Sequence, residues 1–245
     1  MQGETAVQVA EHKLAEAIVE ATRRLARSMP LPRGAPYFYL DSAAPYDLRI
    51  FDSLSARGIF RKYEFALDIG SGLGGRARWL AARTGCSIVG VDPSLSTVRA
   101  AMMLNRRAHM DPQVRFQVGR LEQLPLRDRV FTHVWMLDVD DEPALPAIAR
   151  EAFRVLRYGG HFALQCRLLP AGERAALLGM LATLGFVELE SQEVTLSAPP
   201  DARRIALARL QTELGASAGA DALLASLRPL PGTPTRLQIF ASRVT

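Results

Sequence analysis

Apolar residues recur at helical spacing over residues 5–28, at Val9, Leu14, Ile18, Ala21 and Leu25, with charges between them and Pro30 and Pro32 just beyond. That pattern predicts one amphipathic helix with a firm stop. The period is lost over 33–47, where Gly, Pro and the aromatics Tyr37, Phe38, Tyr39 and Tyr46 gather, which predicts a loop packed over something. A helical pattern resumes over 48–60. From Phe65 onward, short apolar runs at 65–69, 87–91, 114–118, 131–137 and 161–166 alternate with longer amphipathic stretches at 75–84, 96–110 and 145–156. Strands that read as continuous apolar runs between helices imply a parallel sheet covered on both faces. Only the stretch between the third and fourth strands is too short for a full helix. A helix over 173–184 leads to a strand at 187–190 that continues toward Leu196, and a final alternating run over 236–244 reads as another strand. The prediction is an α/β domain over 61–245 with a helical insertion at about 199–232, preceded by an N-terminal helical cap and aromatic loop over 1–60. There is no internal repeat and no low-complexity tail.

Composition narrows the class. The 245 residues are 49% hydrophobic and 22% charged, ordinary usage for a folded globular chain. No uninterrupted apolar run approaches the roughly 18–20 residues needed to span a bilayer, so no membrane span is expected. Glu4, Glu11 and Glu16 stand where a secretory signal would be basic and then apolar, which makes the cytoplasm the expected address. The net charge is +5, but the basic residues are scattered, as in Arg23/Arg24, Arg106/Arg107 and Arg203/Arg204, without interleaved aromatics. That distribution argues against a nucleic-acid partner. Cys86 and Cys166 are the only cysteines and each lies in or beside a strand run, so they read as buried thiols rather than a disulfide framework. The four histidines form no ligand spacing, and no metal is expected.

The strongest local signal is Ala66-Leu67-Asp68-Ile69-Gly70-Ser71-Gly72-Leu73-Gly74-Gly75, an apolar strand ending in a glycine-rich turn that opens a helix. Glycines there let the backbone turn sharply and approach a ligand, and the helix N-terminus offers N–H groups. Gly70, Gly72 and Gly75 satisfy GxGxxG while Gly70, Gly72 and Gly74 satisfy GxGxG, so the glycines alone leave the ligand open between a nicotinamide dinucleotide and other nucleosides. Asp92 ends the second strand 22 residues beyond Gly70, where an acid accepts from ribose hydroxyls. Asp68 stands two residues before the first glycine, where a dinucleotide-binding strand stays apolar. An acid at that point holds the turn's N–H groups or meets a cationic ligand.

With these residues the chain resembles the class I S-adenosylmethionine-dependent methyltransferases, especially small-molecule members such as the ubiquinone/menaquinone, sarcosine and tocopherol methyltransferases. The resemblance continues through Gly90-Val91-Asp92-Pro93-Ser94, Glu122-Gln123-Leu124-Pro125-Leu126, Val134-Trp135 and Arg154-Val155-Leu156-Arg157-Tyr158-Gly159-Gly160, over roughly residues 64–190. It implies a Rossmann-like three-layer sandwich with a mostly parallel seven-stranded sheet whose last strand is antiparallel. It also implies S-adenosylmethionine as cofactor, with Asp68 and the Gly70, Ser71, Gly72 and Gly74 turn along its methionine part. Asp92 would bind the ribose, Pro93 and Leu121 would lie at the adenine, and Met136 and Leu137 near the amino group or sulfonium. Arg120 departs from the family's pattern, which places an adenine-accepting Asp after Gly119; a guanidinium has donors only.

Asp138, in the acidic run after the fourth strand, is the candidate general base, and a helix cap is its competing role. Tyr37, Tyr39 and Tyr46 are candidate substrate contacts, and packing of the N-terminal helix explains them equally well. Met136-Leu137-Asp138-Val139 lacks the Asn-Pro-Pro-Tyr type of string found in many nitrogen-methylating members. The expected reaction is therefore methyl transfer to O or C of a small-molecule acceptor, with a homodimer left open. The alternatives are a catalytically silent methyltransferase-like binding subunit and an RNA methyltransferase.

Overall fold

The computed structural model describes residues 6–28, 62–137, 143–195 and 235–244, together with Ile50, Phe51, Ala208, Gln211 and Thr212. Its strands are β1 (Phe65–Ile69), β2 (Ser87–Asp92), β3 (Val114–Val118), β4 (Phe131–Leu137), β5 (Leu156–Arg167), β6 (Val187–Thr195) and β7 (Thr235–Arg243). They form one sheet in the order β3-β2-β1-β4-β5-β7-β6. Strands β1 to β5 pair in parallel, whereas β7 runs antiparallel to both of its neighbours. The order reverses between β1 and β4, so the crevice at their carboxyl ends is the topological switch point where ligands of such sheets bind.

The helices are α1 (Ala6–Ser28), α2 (Gly75–Thr84), α3 (Leu95–Arg107), α4 (Leu145–Val155) and α5 (Ala171–Leu184). On one face of the sheet Ala77, Trp79 and Leu80 of α2 and Val98 and Ala101 of α3 meet Ala66, Ile88, Trp135 and Leu137. On the other, Ile148, Ala149 and Ala152 of α4 and Leu177 and Leu181 of α5 cover Leu67, Ile69, Val134 and Met136. Strand β4 is buried along its whole length, which explains its uninterrupted apolar reading. Helix α1 packs on α3. Ile50 and Phe51 are helical and fully buried, and Phe51 stacks on Trp79 at 6.1 Å and meets Trp135 edge-on at 5.1 Å. Those two residues confirm the helical reading where it is described. The whole of the 33–47 loop and most of the 199–232 insertion lie outside the described residues.

Two differences from the sequence reading have physical causes. Strand β5 starts at Leu156, five residues before the expected 161, because Leu156 pairs with Phe131 of β4 and Arg243 of β7 reaches back to it. Its Nη1 donates to Phe153 O and Leu156 O, and its guanidinium lies over Phe153 at 4.2 Å and Tyr158 at 4.8 Å. The expected helix over 96–110 ends earlier, at Arg107, where His109 takes a left-handed φ of 55° and Asn105 Nδ2 donates to Val114 O at 2.9 Å. Both predicted thiols are buried. No helix among the described residues is long and apolar enough to cross a membrane.

Candidate functional site

The glycine turn is built from the ends of two adjacent strands. Gly70 and Ser71 donate their N–H groups to Val91 O at 2.9 and 3.1 Å. Gly72 N–H donates to Asp92 Oδ2 at 3.0 Å, and Ser94 N–H donates to Asp92 Oδ1 at 2.9 Å. A carboxylate that holds the turn is therefore Asp92, a role its spacing alone did not assign to it. Asp68 is buried at 2% exposure and shares the α2 side of the sheet with Ala66. Burial pushes the Asp92 carboxyl above its usual value, while its two backbone donors act the other way. Each of its oxygens keeps a further lone pair for a ligand hydroxyl.

Helix α2 opens at Gly74, whose φ of 76° is left-handed. A Cβ there would stand 2.1 Å from Phe116 Cζ, and one at Gly90 would stand 2.6 Å from Phe116 Cδ1 and 2.7 Å from Ser71 Oγ. Absence of side chains thus lets the Phe116 ring seat the turn against β2 and β3. Behind it the fully buried Arg78 donates to Leu73 O at 2.7 Å. Ser71 Oγ is buried without a hydrogen-bond partner, so the turn carries an orphaned polar atom that a polar ligand seated on it satisfies.

The methyltransferase domain family matches residues 66–160, a span that holds the turn, Asp92, the loop after β3 and the end of β4. Over residues 66–160 the chain is therefore similar to methyltransferase domains. The sarcosine/dimethylglycine N-methyltransferase of Halorhodospira halochloris is 34% identical over 99 residues, covering 40% of this chain and 36% of the relative. The sterol 24-C-methyltransferase of Kluyveromyces lactis is 27% identical over 111 residues, covering 45% and 30%. The chain thus spans about a third of the length of the curated relatives it matches. Over the whole fold, a solved structure from Galdieria sulphuraria, provisionally named a sarcosine dimethylglycine methyltransferase, aligns with a TM-score of 0.65 at 17% identity. It covers 93% of this chain and 98% of its own.

Along residues 66–160 the expected site residues divide. Gly70, Ser71, Gly72, Gly74, Asp92 and Pro93 come together at the carboxyl ends of β1 and β2. Leu137 ends β4 beside them and its carbonyl accepts from Arg76 Nη1 at 3.4 Å, joining the start of α2 to the end of β4. Met136, by contrast, turns its side chain into the opposite core under α4, so it offers the crevice backbone only. Leu121 also packs toward that core. Arg120 is 78% exposed and 3.9 Å from Glu122. Asp138, Tyr37, Tyr39 and Tyr46 lie outside the described residues.

The domain's loop after β3 is held by a network that the sequence reading missed. Glu151 and Arg154 of α4 bind the backbone of Leu124 and Leu126. The hint in the sequence was an acid three residues before an arginine at the end of α4, facing a short apolar segment. His133, read as a core histidine, is one: it is 3% exposed, its Nδ1 lies 2.7 Å from Thr132 Oγ1, and its ring stacks on His161 at 5.5 Å. Burial, with His161 and Arg157 nearby, lowers it to about 3. An open groove of about 340 Å³ lined by Lys62, Ser87, Gln113 and Arg115 lies at the other, amino-terminal edge of β1 to β3. It is remote from the glycine turn and shares no residue with it.

Proposed function

We propose that this chain is an S-adenosylmethionine-dependent methyltransferase that methylates an oxygen or carbon atom of a small molecule. The single observation that carries the proposal is Asp92, a carboxylate fixed by Gly72 N–H and Ser94 N–H at the mouth of a left-handed glycine turn. The family match over residues 66–160 supports it, as does the orphaned Ser71 hydroxyl. The residues present fit that cofactor. Asp68, Gly70, Ser71, Gly72 and Gly74 would hold its methionine part, Asp92 its ribose, Pro93 and Leu121 its adenine, and the Met136 and Leu137 backbone its amino end. When bound, the cofactor supplies an activated methyl group to an in-line displacement.

The work left to the chain is alignment. Holding two reactants within near-attack distance replaces a bimolecular encounter and removes several kcal/mol of the barrier. Burial of the turn between Phe116 and α2 keeps the cradle rigid, and the Arg76 link to Leu137 O fixes the end of β4 against it. Asp138 is the proposed base for an acceptor that must lose a proton, and Tyr37, Tyr39 and Tyr46 are the proposed acceptor enclosure, since aromatic faces suit cations and planar groups. A small-molecule acceptor in the cytoplasm fits the scattered basic residues better than a nucleic acid does.

The test is calorimetric titration with S-adenosylhomocysteine, repeated with Asp92→Ala. Binding by wild type that is lost in Asp92→Ala is the expected result; no binding by wild type overturns the cofactor reading. A second reading, a catalytically silent binding subunit, draws on the exposed, acceptor-free guanidinium of Arg120. A gain in affinity with Arg120→Asp measures what that side chain costs, and binding without methyl transfer to any acceptor favours the silent subunit.

A further inference from the structure

The sheet's crossing from β3 to β4 is a loop where the neighbouring crossings carry α3 and α4. At Leu124, the buried residue of this loop, the backbone groups need partners that a helix would have supplied internally. Two side chains of α4 provide them. Glu151 Oε2 accepts from Leu124 N–H at 2.7 Å. Arg154 Nη2 donates to Leu124 O at 3.1 Å and Nη1 to Leu126 O at 2.8 Å. The two side chains also grip each other, Arg154 Nε to Glu151 Oε1 at 2.8 Å and Nη2 to Oε2 at 2.6 Å. Both the N–H and the carbonyl of Leu124 are therefore fixed by one ion pair whose members are 14% and 29% exposed.

The grip reaches the proposed cofactor site through packing. Pro125 follows Leu124 and closes on Gly119: a Cβ at Gly119 would stand 2.7 Å from Pro125 Cδ and 3.0 Å from Val91 Cγ1. Gly119 N–H then donates to Asp92 O at 3.1 Å. Leu124, Pro125, Gly119 and Asp92 thus form a continuous path from α4 to the end of β2. Arg120 and Leu121 ride on it, and the loop is pinned once more where Gln123 N–H donates to Arg120 O at 3.3 Å.

We infer that Glu151 and Arg154 are a positioning pair: by fixing Leu124 and Pro125 they set where Gly119 to Leu121 stand beside Asp92, and so set affinity for the adenosine half of the cofactor without touching it. This rests on the cofactor reading above. The planar fork matters, because a guanidinium offers parallel donors to two carbonyls and a carboxylate at once and an ammonium does not. The guanidinium also holds the Glu151 carboxyl below its usual range, so the pair stays ionised into mild acid.

The experiment measures S-adenosylhomocysteine affinity by calorimetry for wild type, Glu151→Gln and Arg154→Lys, with amide hydrogen exchange on the same samples. About a tenfold loss of affinity is expected in each variant, with faster exchange confined to residues 119–126 and unchanged exchange at the Gly70–Gly74 turn. Unchanged affinity in a folded variant overturns the inference, as does exchange that rises equally at the glycine turn, which marks a purely structural role. If both variants fail to fold, wild type decides: ligand must slow exchange at Leu124 and Gly119, and no slowing overturns it. A wild type that binds no S-adenosylhomocysteine instead removes the cofactor reading on which it rests.

Discussion

Gly74→Ala tests whether the turn is held by sterics. Gly74 sits at a φ of 76°, a left-handed conformation that costs an L-residue about 1–2 kcal/mol. The new Cβ would also stand 2.1 Å from Phe116 Cζ and 2.4 Å from Cε1. The ring has no easy retreat: it is 8% exposed, and the neighbouring Cδ1 on the same edge already lies against Gly90. Overpacking of that kind costs about 1–3 kcal/mol. The expected loss is therefore about 2–5 kcal/mol, a large part of the roughly 5–15 kcal/mol that stabilises an ordinary domain. Urea denaturation of Gly74→Ala, made in the wild-type and in a Phe116→Leu background, separates the two contributions. In the Phe116→Leu background the cost should fall to the conformational part, about 1–2 kcal/mol. An identical cost in both backgrounds would refute the steric reasoning, and a loss under about 0.5 kcal/mol in either would refute the need for glycine at that φ.

Other expectations follow from the same structure. Because burial raises the Asp92 carboxyl above 3.8 and the ionised form is the one that accepts Gly72 N–H and Ser94 N–H, S-adenosylhomocysteine affinity should be flat near neutrality. It should weaken as pH falls through the raised value, and affinity constant down to pH 4 would count against an ionised Asp92. His133 is held neutral, lowered from 6.5 to about 3, so the unfolded chain takes up a proton that the folded one refuses. Stability should be level above pH 6.5 and fall below it, by up to about 5 kcal/mol near pH 3; His133→Gln should flatten that limb in urea titrations. Glu151 has the opposite sign of cause, a depressed carboxyl: its contribution is present above its ordinary value of 4.5 and lost as pH falls further, and Glu151→Gln should remove that loss. Arg243→Lys should cost about 1–3 kcal/mol, because it breaks the caps on Phe153 O and Leu156 O and the stacking on Tyr158; an unchanged melting temperature would show that the early start of β5 has another cause.

The parts of this fold that the sequence made legible are those decided by neighbours along the chain. β4 reads as a strand because each of its seven residues is buried, and the turn reads as a turn because glycines with positive φ cluster at Gly70, Gly72 and Gly74. What stayed hidden was decided by partners far apart. The stretch before His161 joins the strand through partners far along the chain, Phe131 of β4 opposite Leu156 and Arg243 of β7 opposite Gly160. The same holds for the site. Spacing offered Asp92 as a ribose acceptor and Asp68 as a holder of the turn; parallel pairing of β1 with β2 puts Val91 and Asp92 against the turn, so Asp92 also holds it. Met136 was placed at the crevice by its position on β4, yet alternation along the strand, with Leu137 on the α2 face, commits its side chain to the α4 core. A charged pair such as Glu151 and Arg154 is invisible for a further reason. On α4 it reads as an ordinary exposed i,i+3 pair worth a few tenths of a kcal/mol, and its importance comes entirely from the unsatisfied backbone of a loop 27–30 residues earlier. Site geometry of this kind is a property of topology, and it becomes readable only once the strands have been put in order.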